Sequence, residues 1–234
     1  MKKGYTHISV VLDKSGSMAS CLNDTIGGFN QFIKTQKEVK GEATITLVQF
    51  NTNYDLIMDM VELNNTEDLN IRNYSPNGYT ALLDAIGRTI NNVESKIEEK
   101  KKKDRPEKVI FVIITDGEEN SSREFNHSQI MEMINNHRSN NNWEFVFIGA
   151  NQDSIQSGGS IGVRAGNTLD YSATPQGTQV MYSSLTKSMT SYRSNNNYVS
   201  DSFFQNEEEK KDEFLKNPKG PLQNMRPPTT TNTK

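Results

Sequence analysis

The amino-acid sequence predicts an α/β fold in which helices cover both faces of a mainly parallel, doubly wound sheet. Three observations lead there. Strand patterning and helical periodicity alternate along most of the chain, the mark of a layered α/β architecture. The run Val109-Ile110-Phe111-Val112-Ile113-Ile114 is continuously apolar, as a central parallel strand covered on both faces must be. The most reactive-looking polar turns sit at strand-to-helix junctions, where open sheets of this kind bind ligands.

The first strand is read from Ile8-Ser9-Val10-Val11-Leu12, a short run rich in β-branched residues that breaks into the turn Asp13-Lys14-Ser15-Gly16-Ser17. Leu22, Ile26, Phe29 and Ile33 then recur at helical spacing, giving an apolar stripe on a helix that ends near Gly41. Thr44 to Phe50 alternates and reads as a strand. Asn51-Thr52-Asn53 is turn chemistry, and Tyr54 to Val61 is the returning partner, so this strand is expected to be antiparallel and at the sheet edge.

Asn64 to Ser75 is polar and irregular, and Pro76-Asn77-Gly78 marks a tight loop before Thr80. Leu82, Ile86, Ile90, Val93 and Ile97 form the stripe of a long second helix. Its expected end is the run from Glu98 to Pro106, where lysines complement the helix dipole and the proline stops the helix. Acidic residues on both sides of the lysines argue against a nucleic-acid or anionic-membrane patch. After the central strand come Thr115, Asp116 and Gly117, then Glu118 and Glu119 in a solvated loop, then a helix from Ser128 to His137. Trp143 to Gly149 is the next strand and Asn151 to Ser160 a short helix, whose glycines lack the Gly-x-Gly-x-x-Gly spacing of a nucleotide cradle. Thr168 to Tyr171 is a short final strand, and Pro175 opens a last helix running to about Arg193.

With 234 residues the chain makes one domain and a tail, read as 1–193 and 194–234. The tail sequence, with Glu207-Glu208-Glu209-Lys210-Lys211-Asp212 and Pro227-Pro228, is too polar to bury a core and is expected to be flexible. Phe203-Phe204 within it are read as an anchor onto the domain or onto a partner. A net charge of −3 offers no overall electrostatic footprint for nucleic acid. The single cysteine, Cys21, excludes an intrachain disulfide and is read as a packed side chain in a reducing compartment. The start of the chain lacks the apolar length of a signal peptide, and no run is long enough to span a membrane. A cytoplasmic location is therefore expected, and the sequons at Asn64, Asn120 and Asn126 carry no meaning in that setting.

Chemistry concentrates in the turn after the first strand. Asp13, Ser15 and Ser17 supply one carboxylate and two hydroxyls, and Gly16 is read as letting the backbone fold tightly enough for them to converge. All are hard oxygen donors without a thiolate or imidazole beside them, which suits Mg²⁺ better than Zn²⁺. The pattern resembles the metal-ion-dependent adhesion site of von Willebrand factor A domains, Asp-x-Ser-x-Ser followed much later by a Thr and an Asp. Thr80 in Asn77-Gly78-Tyr79-Thr80 and Asp116 in Thr115-Asp116-Gly117 supply the later parts.

The likeness extends over about Tyr5 to Arg193 and implies a six-stranded sheet with one antiparallel edge strand. It also implies a metal site made of Asp13, Ser15, Ser17, Thr80 and Asp116, in which the three hydroxyls contact the ion and one or both carboxylates act through water. Phe147 to Asp153 and Gly177-Thr178 resemble stand-alone bacterial and phage members. Mg²⁺ is the expected ion, with Mn²⁺ and Ca²⁺ as substitutes.

The function expected on these grounds is a non-enzymatic, metal-dependent protein-binding module that grips an Asp or Glu of a partner through the ion. Monomer is the favoured state, with neither nucleic acid nor membrane as partner. Gly78 and Gly117 are read as allowing close backbone approach. Asp84 is read as orienting a nearby hydroxyl, as a cap, or as a solvated side chain. Two alternatives stand beside this. A metal-dependent phosphatase or hydrolase could use a similar sheet, but aspartate-nucleophile phosphatases generally show Asp-x-Asp where this chain has Asp13 and Ser15. No general base is evident: His7, read as beginning the strand that Asp13 ends, lies about 20 Å away at ~3.3 Å per strand residue, and His127 and His137 are read as solvated helix residues. The second alternative is a structural component of a phage or bacterial complex. A variant reading has Glu207 or Glu208 of the tail filling the open metal position.

Overall fold

The computed structural model describes residues 1–150, 153–194 and 203–204, with Met1–Phe204 forming one packed unit. The chain runs β1 (Lys2–Asp13), α1 (Leu22–Glu38), β2 (Glu42–Phe50), β3 (Tyr54–Glu62), α2 (Leu82–Glu98) and β4 (Pro106–Thr115). It continues with α3 (His127–Asn141), β5 (Trp143–Ala150), α4 (Ser154–Ser160), β6 (Thr168–Tyr171) and α5 (Pro175–Ser194). The six strands form one sheet in the order β3-β2-β1-β4-β5-β6. Every pairing is parallel except β2 with β3, which turns back through Asn51-Thr52-Asn53 and occupies the edge. The predicted α/β class, six strands and antiparallel edge are all present.

Side-chain alternation on the strands feeds two separate cores. Ile8, Val10 and Leu12 of β1, with Ile110, Val112 and Ile114 of β4, pack beneath α1 and α5 through Phe29, Phe32, Ile33, Met181 and Leu185. Val11, Phe111 and Ile113 face the other way, onto α2 and α3 through Ile86, Ile90, Val93, Ile130 and Ile134. A sheet covered on both faces explains why β4 reads as an unbroken apolar run.

Chain direction reverses its lateral progress at β1, which pairs with β2 on one side and β4 on the other. This is the topological switch point, and the crevice outside the carboxyl ends of β1 and β4 is where such sheets place a ligand. Register brings the strand ends level: Leu12 lies opposite Ile114, so Asp13 emerges beside Thr115.

Three expectations need correction. Helix α2 ends at Glu98, the first residue of the expected run, but the lysines and the proline are not what ends it. The Arg105 guanidinium donates to the carbonyl of Glu98 (2.9 Å), the last helical residue, and to that of Lys100 (3.1 Å) just beyond it, and Pro106 opens β4 rather than halting a helix. His137 is buried, not solvated: its ring stacks on Trp143 with centroids 4.3 Å apart, and burial lowers its pKa. His7 does not begin a strand but lies within β1, fully buried, with Nδ1 2.9 Å from the Thr44 hydroxyl. His127 is exposed as expected.

Phe203 and Phe204 are buried on the domain. The Phe204 N–H donates to the Gly166 carbonyl at 3.0 Å, and the Phe203 N–H donates to the Asn167 side chain at 3.1 Å. The anchor reading onto the domain therefore describes these two residues. Asn151, Gln152, the rest of the tail and the acidic residues Glu207 and Glu208 lie outside the described residues. No helix among the described residues is long and apolar enough to cross a membrane.

Candidate metal centre

Strand β1 delivers Asp13 to the crevice with its side chain fully buried. Both carboxylate oxygens are held: Oδ1 accepts the Ser15 N–H at 2.6 Å, and Oδ2 accepts the Thr115 hydroxyl at 2.6 Å. Its backbone carbonyl accepts the hydroxyl of Tyr74 at 2.6 Å, a ring buried in the core. The next residues leave the strand in a single 3-10 turn, Gly16–Cys21. That turn sets the Ser15 and Ser17 hydroxyl oxygens 3.1 Å apart.

From β4 comes Asp116, whose Oδ1 accepts the Ser17 hydroxyl at 2.6 Å across 99 residues of sequence. Thr80 arrives on the loop before α2. A Cβ built on Gly117 would lie 3.1 Å from the Thr80 hydroxyl oxygen and 3.7 Å from that of Ser17. Ser15, Ser17 and Asp116 are thus linked by hydrogen bonds, Asp13 joins them through Ser15 and Thr115, and the Thr80 hydroxyl faces the same side of Gly117 as that of Ser17. A side chain at 117 would crowd the Thr80 hydroxyl.

The loops that carry these side chains are tied to one another rather than left to solvent. Lys14 N–H donates to the Phe50 carbonyl (2.7 Å), Asn77 N–H to the Lys14 carbonyl (2.9 Å) and Gly16 N–H to the Gly78 carbonyl (3.2 Å). Asn51 donates through its side-chain amide to the Asn77 carbonyl (2.8 Å) and accepts Ala81 N–H on its backbone carbonyl (2.9 Å). Asn120 closes the other side, accepting Thr80 N–H on its side chain (2.9 Å) and donating its own N–H to the Thr80 carbonyl (3.1 Å).

Gly78, with φ of +76°, is the glycine whose backbone demands that residue type, and a Cβ there would come within 3.0 Å of the Thr52 hydroxyl. Gly16 does not: a Cβ would meet only the Gly78 carbonyl oxygen at an ordinary 3.6 Å, so the tight turn is not its doing.

Asp84 takes a role that none of its three readings named. Its carboxylate accepts three backbone N–H groups, from Arg123 (2.8 Å), Glu124 (2.9 Å) and Phe125 (2.9 Å), and so ties down the loop that follows the centre. Burial alone would raise its pKa, but those three bonds, with Arg88 nearby, outweigh it and hold the carboxyl below its ordinary range. Glu119, read as solvated, likewise accepts the N–H groups of Ser121, Ser122 and Leu83, the last at the start of α2.

Residue reasoning assigned no role to Thr115, Asn51, Asn120 or Tyr74. The available signals were slight: a threonine beside Asp116, an Asn-x-Asn turn, and an asparagine conspicuous only as a sequon.

Electrostatically the crevice is short of positive charge. Burial pushes the Asp13 carboxyl up to about 6, against the opposing pull of Thr115 and Ser15, and burial also raises Asp116. The neighbouring cation, Lys14, pairs instead with Asp55 on β3. Among the described residues no group of three His, Cys, Asp or Glu side chains forms a carboxylate- or imidazole-rich metal cluster. The set here is two carboxylates and three hydroxyls, an all-oxygen donor set with uncompensated negative charge, and it fits a hard divalent cation.

Comparison with known proteins bears on this geometry. The family model for the von Willebrand factor type A domain matches residues 7–174. Proximal thread matrix protein 1 from the mussel byssus is similar in fold, at 13% identity and a TM-score of 0.54, covering 79% of this chain and 46% of the mussel protein. A second structure of that protein, at TM-score 0.53 and 13% identity with coverages of 80% and 46%, has zinc in its metal-ion-dependent adhesion site. The chain therefore aligns with just under half the length of the mussel protein. The domain of the type V pili tip protein Mfa5 from Porphyromonas gingivalis matches at 11% identity and a TM-score of 0.53, covering 84% of this chain and 98% of that domain. Comparison with curated proteins returned no match.

Proposed function

The chain belongs to the von Willebrand factor type A family, and from that premise we propose that it is a metal-dependent protein-binding module without chemistry of its own. Ser15, Ser17 and Thr80 would hold a divalent cation directly, with Asp13 and Asp116 close by and one or both acting through water. The cation supplies a Lewis-acidic centre that accepts a carboxylate oxygen. Mg²⁺ is the ion we assign, with Mn²⁺ and Ca²⁺ able to substitute.

The observation that carries this reading is the meeting, across the switch point, of the Ser15, Ser17 and Asp116 oxygens within 3.1 Å of their neighbours in the chain of contacts, with the Thr80 and Ser17 hydroxyls facing the same side of Gly117. Three neutral hydroxyls leave charge and coordination incomplete, and an Asp or Glu of a protein partner would complete both. Asp13 and Thr115 hold the turn in shape, while Asn51 and Asn120 fix the two loops on either side. Tyr79, 70% exposed and next to Thr80, offers an aromatic surface beside the metal for partner contact.

A stand-alone bacterial or phage protein, monomeric and cytoplasmic, is the setting we assign. An assembly role is the second reading, favoured by the byssal-thread and pilus-tip proteins among the similar structures. Light scattering with and without Mg²⁺ separates the two. A phosphatase reading has less to stand on: Ser15 occupies the position of the second aspartate, and His7 is sealed within β1.

The test is affinity capture of the partner in magnesium buffer with chelator elution, using the wild type, Asp13→Ala and Thr80→Val. The expected result is a partner released by chelator and retained by neither variant. Equal retention by a folded Asp13→Ala protein would overturn the proposal.

A further inference from the structure

A groove of about 340 Å³ opens against the metal centre, between the loop after β4, the start of α2, and α4. Gly117 belongs to both, lining the groove and lying against Thr80 and Ser17, so the groove borders the metal centre directly. The floor is apolar, made by Leu82, Leu83, Phe147 and Ile161, all buried side chains whose outer atoms face this space. The wall is acidic. Glu119 lines it with its carboxylate committed to backbone N–H groups, and Glu118 lines it exposed, without a hydrogen-bond or ion-pair partner among the described residues. His127 is the one basic residue on the lining.

Besides this floor and wall, Gln156, Ser157 and Ser160 of α4 line the groove, and an apolar floor with a free carboxylate on the wall suits one kind of side chain: a long aliphatic stem with a cation at its tip. The volume holds such a side chain with room for water. We propose that this groove receives a lysine or arginine of the protein partner, so that the module recognises an acidic residue and a nearby basic one together, the acid at the metal and the base along Leu82 and Phe147 toward Glu118. The inference rests on the metal-gripping reading above and names a second determinant for it. It also accounts for an acidic wall beside a site meant for a carboxylate: Glu118 repels a second acidic group and selects the polarity in which a partner segment lies.

The test uses immobilised nine-residue peptides of Ala and Ser with a central Glu, in which each other position in turn is Lys, Arg, Leu or Glu. The full-length protein is applied in magnesium or in chelator, as the wild type and as Glu118→Gln, an exposed substitution that leaves the fold intact. Expected is magnesium-dependent binding with Lys or Arg preferred over Leu at one or two positions, and a preference reduced about three- to fivefold in Glu118→Gln, the range of a partly exposed ion pair. Magnesium-dependent binding indifferent to Lys, Arg and Leu, or a preference unchanged in Glu118→Gln, overturns the groove and leaves the metal reading standing. A Lys or Arg preference that persists in chelator keeps the groove and overturns the metal reading. Failure to bind any peptide in either buffer counts against both.

Discussion

Strand β1 carries two ionisable side chains that are both fully buried, His7 in its middle and Asp13 at its end, and they meet opposite circumstances. Burial drives each toward its neutral form: His7 falls to about 3 and Asp13 rises to about 6. His7 is closed in by sheet on both sides, with the Thr44 hydroxyl on Nδ1 and no partner on Nε2 among the described residues. Neutral imidazole is its resting state and nothing nearby would change that. Asp13 stands at the rim of a crevice among the hydroxyls of Ser15 and Thr115 and close to a second raised carboxylate, Asp116. Its desolvation is one that a cation could offset. The same physical cost reads as core architecture in one place and as a site in the other, and the difference lies in what surrounds each group.

Substituting Asp13 by Asn sharpens this contrast most. Metal-dependent partner retention should fall on the order of 100-fold. The metal-free protein should melt no lower at pH 7, because the amide keeps an acceptor for Ser15 N–H and removes a buried charge. Parallel melting and capture assays check both halves, and a large loss of stability without loss of capture would break the contrast.

His7 sets the next effect. Its folded pKa lies below the unfolded value near 6.5, so its contribution to stability is complete above 6.5 and is lost as pH falls toward about 3. One extra proton on the unfolded chain gives a slope of about 1.4 kcal/mol per pH unit in that window. Denaturant titrations from pH 6.5 to 4 should show a shallower acid limb for His7→Gln than for the wild type.

Asp13 has the reverse sign. Its folded pKa is raised, so between about 4 and 6 the metal-free fold loses stability as pH rises, and added Mg²⁺ should restore it. The rise in melting temperature on adding Mg²⁺ should be larger at pH 7.5 than at pH 5.

Two glycines give the smallest effects. Gly78→Ala places a side chain at φ of +76° and should cost about 1–2 kcal/mol. Gly16→Ala has ordinary contacts and should stay within about 0.5 kcal/mol.

Which parts could be read from the sequence follows from the range of the interactions. Local patterning placed the six strands and the α-helices, because strand runs, helical stripes and terminal signals such as Pro175 are written within one element. The apolar run of β4 announced two covered faces. The end of α2 was legible but not what holds it: Arg105, seven residues past Glu98, donates to the last carbonyl, which no local signal shows. His137 looked solvated because its cover, Trp143, comes from β5. The five site residues were legible through motif spacing, whereas Thr115, Asn51, Asn120 and Tyr74 act through bonds to distant loops. Glu119 and Asp84 looked like surface carboxylates until the loop amides they accept were in view.

The account turns on a cation held by oxygens from β1, β4 and the loop before α2. Calorimetric titration of the full-length chain with Mn²⁺ and Mg²⁺ at pH 7.5, beside Ser17→Ala, tests it most directly. The account predicts one saturable site per chain in the wild type and its loss in the folded variant. Wild-type protein that takes up neither ion, or a Ser17→Ala protein that binds as tightly, would contradict it.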